Sequence, residues 1–347
     1  MFEYVGAVHV HSVYSDGSGK IDEILNCASE SGLDFVLLTD HNTLRPLEEG
    51  FEGWYGKTLL LIGCEINDKN NRNHYLAFGI DKTFSTRLPA KEYVKLVNDE
   101  GGIGFIAHPH EKRDSMKEHP PYPWTDWDVD GYTGIEIWNH MSEWMEGLTE
   151  ENKYNRFMHP LKSIEKPPAE TLEVWDKQSE KRKVVGIGGI DAHAHKMNVL
   201  GFFEVEVFPY KVLFKSIRTH ILSETELVKN KKETALEDGK TIVYEALKEG
   251  RCFVSNHYHG DATGFRFTAY DGDKIYQMGD TVKLSDTLRF NVILPEKASV
   301  RIICNGKTSE IKDGKEVEFL VKEEAVYRVE VYKEKNAWIF SNHVRVV

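Results

Sequence analysis

Residues 4–41 read YVGAVHVHSVYSDGSGKIDEILNCASESGLDFVLLTDH. Two short apolar runs, 4–10 and 35–39, bracket a stretch in which Ile21, Ile24, Leu25 and Ala28 recur at helical spacing, and Gly32 then stands where a helix-ending glycine belongs. Strand, helix and strand in that order make one β/α unit of a mainly parallel sheet. The same texture recurs downstream, with strand-like runs at 58–64, 74–80, 103–107, 134–138 and 184–190 and a second helical pattern at 90–100 that opens after Pro89 and closes at Gly101-Gly102. Seven strands are therefore expected. Helical stretches around 211–220 and 241–249 follow and are expected to close the array.

The rhythm breaks at 111–133 and 140–183, which carry Pro120-Pro121, Pro123, Pro167-Pro168 and the tryptophans 124, 127, 144 and 175. These segments read either as a substrate-shaping lid or as a packed outer helix layer. From about Gly264 the pattern turns to alternation: Phe265, Phe267 and Ala269, then Leu288, Phe290 and Val292, then Val300, Ile302 and Cys304, with two further runs at 317–321 and 327–331. The dipeptides Asp271-Gly272, Asn305-Gly306 and Asp313-Gly314 read as hairpin turns between them. An antiparallel β-sandwich at 261–347, following an α/β region at 1–260, is the expected domain plan.

Composition narrows the classes. Of 347 residues 40% are hydrophobic and 29% charged, and no apolar run approaches the roughly 20 residues that cross a bilayer, so a membrane protein is not expected. Met1 leads straight into the first strand without a signal-peptide pattern, and the four scattered cysteines read as free thiols in reducing surroundings, so the expected address is the cytoplasm. A net charge of -12 argues against binding a nucleic-acid duplex and leaves a small-molecule substrate as the expected partner.

The 15 histidines gather at the edges of the apolar runs. The first run ends in His9-Val10-His11, and alternation along a strand points both imidazoles the same way, a grip for one ion. Asp16 follows in the turn Ser15-Asp16-Gly17. The second run ends in Asp40-His41, the third in Glu65, the fourth opens with His74, the fifth ends in His108-Pro109-His110, the sixth in Asn139-His140, and the seventh in Asp191-Ala192-His193-Ala194-His195. A lone histidine at a strand end is more often a surface or core residue than a ligand. Five strands delivering such groups to one barrel face would crowd polar and like-charged side chains intolerably unless cations sat among them.

These motifs, His9-Val10-His11-Ser12, Ser15-Asp16-Gly17, Thr39-Asp40-His41-Asn42-Thr43, Glu65, His74, His108-Pro109 and Asp191-Ala192-His193, taken in order, resemble those of the PHP family, the polymerase and histidinol phosphatase domain. The resemblance covers residues 5 to about 205. A looser one, through 250–256 and 337–342, is to the long form with a C-terminal β domain, the branch containing carbamate and ester hydrolases. The resemblance implies a distorted seven-stranded β/α (TIM-like) barrel holding two or three divalent ions. One ion would take His9, His11, Glu65 and Asp191, a second Glu65, His74 and His108, and a third Asp16, His41 and His193. Imidazole with carboxylate suits zinc, manganese or iron, and thiolate is absent from every matched position. Asp191, Glu65 and His193 carry the catalytic expectation.

Around this set, His110 and His195 are expected to contact substrate or to steady a ligand from behind, and Asp40 to face away from His41 while supporting it. Lys112, Arg113 and Lys196 lie just past ligand-bearing strand ends, where they would meet a phosphate or simply be solvated. His119, His159, His220 and His343 receive no role. The expected function is a metal-dependent hydrolase, a phosphoesterase acting on a small phosphate ester, with an amide, carbamate or carboxylic ester as the alternative substrate of the same cluster.

Overall fold

The computed structural model describes residues 1–113, 120–199, 203–228 and 233–347. Each of the seven expected runs is a strand: β1 (Phe2–Val10), β2 (Phe35–Leu38), β3 (Thr58–Ile66), β4 (Tyr75–Phe78), β5 (Ile103–Ile106), β6 (Gly134–Asn139) and β7 (Val185–Gly189). They pair in that order. Four of the six steps between neighbours are parallel, as the β/α texture leads one to expect, but β4 runs antiparallel to both β3 and β5. The connection from β3 to β4, residues 67–74, is too short for the dozen or so residues a parallel crossover requires. Past β7 the chain returns to its start. Ile190 N donates to Val8 O at 3.0 Å and His11 N to Ala192 O at 2.9 Å, so the two ends of the row meet.

Alternation sorts the strand residues into two faces. Val8, Leu37, Leu59, Leu61, Leu76, Phe78, Phe105 and Ile187 pack together and against Ile242, Val243 and Leu247 of the helix Glu233–Glu249. Their neighbours Ala7, Val10, Val36, Leu60, Ile62, Ala77, Ile106 and Ile135 pack outward on α1 (Ile21–Glu30) and α2 (Ala90–Asp99). Helix α1 ends as its sequence requires: Gly32 adopts φ +71° and Leu33 N reaches back to Ala28 O at 3.0 Å, the Schellman closure. No described helix is long and apolar enough to cross a membrane.

A further β domain follows, with its own core from Phe265, Phe267, Phe290, Val292, Val300, Val329 and Trp338. Two long strands, Arg289–Cys304 and Lys307–Leu320, pair along their length with a register shift between Ile293 and Ala298. On its other edge the first half of Arg289–Cys304 pairs with Arg266–Asp271 and its second half with Ala325–Lys333. The domain is hydrogen-bonded to the α/β part, because Cys252–Asn256 pairs with Asn336–Ser341.

Two local expectations fail. The stretch 211–220 is mostly not helix: a single turn, Tyr210–Leu213, leads into the strand Ile217–Ser223, which pairs antiparallel with residues 2–6 of β1. Ile217, Thr219 and Ile221 are β-branched at every second position, and burial between β1 and Cys252–Asn256 decides the state. Asp313-Gly314 is likewise no turn but the interior of a strand, opposite the irregularity that Pro295 introduces in its partner. Asn305-Gly306 does form a hairpin turn, with both residues at positive φ.

Candidate metal centre

Strand phase explains how three of the expected residues reach one place. Glu65 is in step with the inward Leu59 and Leu61, His74 with Leu76 and Phe78, and His41 with Phe35 and Leu37. His9 and His108 are out of step, since Ala7 and Ile106 face the helices. Both are turned inward by left-handed backbone, φ +66° at His9 and +27° at His108, and the β1–β2 register shifts between Val8 and Val10. Asp191 also sits at φ +52°. Strain of this kind, of order 1–3 kcal/mol per residue, gathers where function over-determines the chain.

The result is a buried polar knot. Oε2 of Glu65 lies 3.1 Å from His9 Nε2, 3.2 Å from His11 Nε2 and 3.3 Å from His41 Nδ1. Its other oxygen lies 2.7 Å from His74 Nδ1 and 3.2 Å from His108 Nε2. Asp191 Oδ1 is 3.4 Å from Nε2 of both His9 and His11. Asp16 Oδ1 is 3.2 Å from His193 Nε2, and Oδ2 is 3.7 Å from His41 Nε2. Four groups of donor atoms are close enough to share an ion: His11 with Asp16, His41 and His193; His9 with Glu65 and His108; His9 with His11 and Asp191; and His41 with Glu65 and His74.

Electrostatics favour a cation here. Burial works to raise the carboxyl of Glu65, but the imidazoles of His9, His41 and His74 outweigh it and hold the group well below the usual range. Burial also opposes charge on His11, yet Asp191 and Glu65 push it up to about 10. Protonated imidazoles thus stand in for positive charge that the carboxylates demand. Both ring nitrogens of His11, Nε2 of His74 and Nδ1 of His108 are buried without a hydrogen-bond partner among the described residues, a donor set that a metal ion fits. The neighbouring Cys64 thiol is pushed up to about 12 by burial, so no thiolate enters the set.

The knot opens on a cavity of about 510 Å³ lined by Asp16, His41, Glu65, His74, His108, Asp191, His193 and His195 on one side. Arg113 lines it too, held by the buried Glu111 and lying 5.2 Å over the Tyr122 ring, which in turn stacks on His74. His195 stacks on His193 at 5.0 Å. Asp40 faces away from His41 as alternation requires and accepts from Ser12 N, Ser12 Oγ and Ser15 Oγ, which fixes the turn bearing Asp16. His110 and Lys112 are not brought to the cavity. His110 bonds Thr171 Oγ1 at 3.0 Å and stacks on Trp127, and Lys112 extends to Glu170 at 2.6 Å, because these two side chains turn toward the helix Ala169–Ser179. His140 is buried behind the cavity on Ser216 Oγ. His119 lies outside the described residues.

Glu136 escaped the sequence reading. It is buried on β6, faces His9 Nδ1 at 2.9 Å with one oxygen, and accepts from His108 N at 2.8 Å and Asn139 Nδ2 at 2.9 Å with the other. A carboxylate can only accept here, so the Nδ1 proton of His9 is fixed and Nε2 is left free to face the knot. A lone glutamate between Ile135 and Ile137 in an apolar run was the available signal.

Residues 7–155 match the model of the PHP domain. Over that stretch the chain is PHP-like. The matched stretch includes His9, His11, Asp16, His41, Glu65, His74 and His108 and stops short of Asp191 and His193. An uncharacterised protein of Methanocaldococcus jannaschii is 27% identical over 117 residues, 30% of this chain and 66% of that protein, so the chain spans just under two thirds of this curated relative. Among solved structures, a two-domain protein from Bacteroides vulgatus, described as containing a predicted PHP-like metal-dependent phosphoesterase, aligns over 99% of this chain and 95% of its own at 13% identity and a TM-score of 0.43. An amidohydrolase from Chromobacterium violaceum with bound sulfate aligns over 54% and 87% at 14% identity and a TM-score of 0.32.

Proposed function

We propose that this PHP-like protein is a metal-dependent hydrolase of small phosphate esters, built as a distorted seven-stranded β/α barrel over 1–260 with a β-sandwich at 261–347. The observation that carries the reading is the convergence of nine His, Asp and Glu side chains in one knot, seven of them lining the cavity, with unpartnered buried nitrogens among them. His9, His11, Glu65 and Asp191 would hold one ion, Glu65, His74 and His108 a second, and Asp16, His41 and His193 a third, with Zn, Mn or Fe suited to such donors. When bound, divalent ions supply Lewis acidity toward an ester oxygen and make water nucleophilic near neutral pH. The chain's own contribution is positional. Arg113 meets the anionic end of the substrate, Glu111 keeps it aimed, and Asp191 with His193 beside it, 3.5 Å apart, handles the proton on the cavity side.

Two measurements test this. Metal analysis of protein purified without chelator should give two or three ions per chain; Glu65→Gln should weaken two of them together and His41→Ala chiefly one, and equal loss from both changes would overturn the partition. With manganese added, a nucleoside monophosphate or a bis-aryl phosphate should release its alcohol. Turnover of aryl acetates without any phosphate ester hydrolysis would sink the phosphoesterase reading and leave the carbonyl one.

A further inference from the structure

The wall of the cavity facing the polar knot has a chemistry of its own. Met141, Trp144 and Met145 reach it from the helix His140–Glu146, Phe157 from the helix Lys153–Met158, and Phe208 from the segment that follows Phe203–Glu206. Trp144 meets Phe208 edge-on at 4.6 Å and Phe157 at 4.9 Å, and the two phenylalanine rings lie parallel at 5.7 Å. Phe208 is held at φ +56°, a conformation that a bulky side chain rarely adopts. It is nevertheless buried against Trp144 rather than released. The indole is pinned as well, because Trp144 Nε1 donates to Arg156 O at 3.2 Å and Arg156 returns to Trp144 O at 2.9 Å.

Such a corner is larger and more apolar than an ion site needs. Inorganic phosphate or a short polar ester would fill the knot and the Arg113 side and leave unmatched the apolar wall, where Phe157 is exposed, Met141 half-buried, and Trp144, Phe208 and Met145 packed behind them. A ligand that matches the whole cavity is two-ended, anionic at Arg113 and flat and apolar at the corner, and the cavity volume lies inside the range of about 300–1000 Å³ typical of small-molecule sites. Among the described lining residues Arg113 is the one Lys or Arg, and the apolar wall offers no charge partner of its own, so the flat end is an uncharged ring.

Resting on the phosphoesterase reading, we infer that Trp144, Phe157 and Phe208 form a subsite for a planar aromatic ring carried by the alcohol of the phosphate ester. Ring-against-ring contact selects for that geometry because aromatic pairs gain from edge and offset stacking beyond the area they bury. Methionines 141 and 145 adapt around the edge of the ring.

The test compares 2-phenylethyl phosphate with ethyl phosphate, whose leaving groups are alike, so that a difference reports the ring and not bond reactivity. The wild-type, metal-loaded protein should favour the phenyl ester by about tenfold or more in kcat/KM, chiefly through KM, the size expected of one aromatic contact with its buried area. Calorimetry with the non-hydrolysable 2-phenylethylphosphonate and ethylphosphonate should show the same preference in binding. Phe157→Ala, at a position 37% exposed and so tolerant of truncation, and Trp144→Leu should each pull both ratios toward one, while Tyr154→Ala on the outer side of the same helix leaves them as they were.

Equal binding and turnover of the two esters, with metal bound and phosphate released, would overturn the ring subsite and leave the phosphoesterase standing. With phosphate esters turned over, failure of 2-phenylethylphosphonate to bind more tightly than ethylphosphonate would also overturn it. If phosphate esters are inert and 2-phenylethyl acetate is preferred over ethyl acetate with the same sensitivity to Phe157→Ala, the subsite holds and the phosphate assignment falls.

Discussion

Glu136 and Gly189 make a pair that no single-residue view of the ligands would supply. A Cβ on Gly189 would stand 1.8 Å from Glu136 Oε1 and 2.9 Å from His9 Cβ, so only glycine leaves room for the carboxylate that steadies His9. Glu136→Gln should keep the fold but lower affinity for the first ion by about 10–100-fold, because the amide sets a donor against a donor at either His9 or His108 N. Titration with a chromophoric chelator reads this directly, and unchanged affinity would show that Glu136 is only filling space. Gly189→Ala should do worse, losing the ion and destabilising the protein by about 1–3 kcal/mol through overpacking, as thermal melts with and without added manganese would register. At this scale the sequence spoke unevenly. His41, Glu65 and His74 follow from strand phase, whereas His9 and His108 sit where phase alone would turn them outward, and the left-handed backbone that rescues them leaves no mark on a residue name.

The helix His140–Glu146 shows what an element does when one face lines a cavity and the other must carry a charge inside. Burial pushes the Glu143 carboxyl up to about 7, against hydrogen bonds from Trp138 Nε1, Lys166 N and Glu165 N. The folded protein therefore holds a proton there that the unfolded chain, with its ordinary carboxyl near 4.5, gives up first. Stability from this group is complete below about pH 4.5 and is lost as pH rises through about 7, by on the order of 1–3 kcal/mol. Urea unfolding at pH 5 and pH 8 should show that slope in the wild type and a flatter one in Glu143→Gln; identical slopes would remove Glu143 from the account. The tryptophans of 111–133 and 140–183 divide between the two roles open to them. Trp124, Trp144 and Trp175 are all buried in the helix-side core, and Trp144 lines the cavity as well. Elements with strong period were legible, as α1 and α2 are, while 217–223 was misread because its apolar spacing suits either state and only its two strand neighbours choose.

Across the whole molecule the two cores are tied by ions as well as by strands. Arg328 makes a two-point contact with Asp176 at 2.6 and 2.8 Å and a third bond to Glu330 at 2.7 Å, and His343 adds another to Asp176 at 2.7 Å, all buried between the helix Ala169–Ser179 and the β domain. Burial opposes charge on Asp176, yet Arg328 holds its carboxyl down to about 2. Asp176→Ala removes the two-point partner of a buried guanidinium, leaving Glu330 to it, and should cost about 3–5 kcal/mol in chemical denaturation, far more than loss of a surface pair such as Lys95 with Asp99. A cost under about 1 kcal/mol would mean that water enters this seam. None of this was visible beforehand, since residues 152 and more positions apart in sequence carry no shared pattern, whereas the change from helical to alternating texture near Gly264 announced the β domain itself. The closure of β1 by segments from far downstream also sets an order of events during synthesis. Its outer edge waits for Ile217–Ser223 and its inner end for residues 190–192. At about 5–20 residues per second a ribosome leaves the first strand half-paired for roughly ten to forty seconds, an interval in which a chaperone has more opportunity to act on this strand than on any made later.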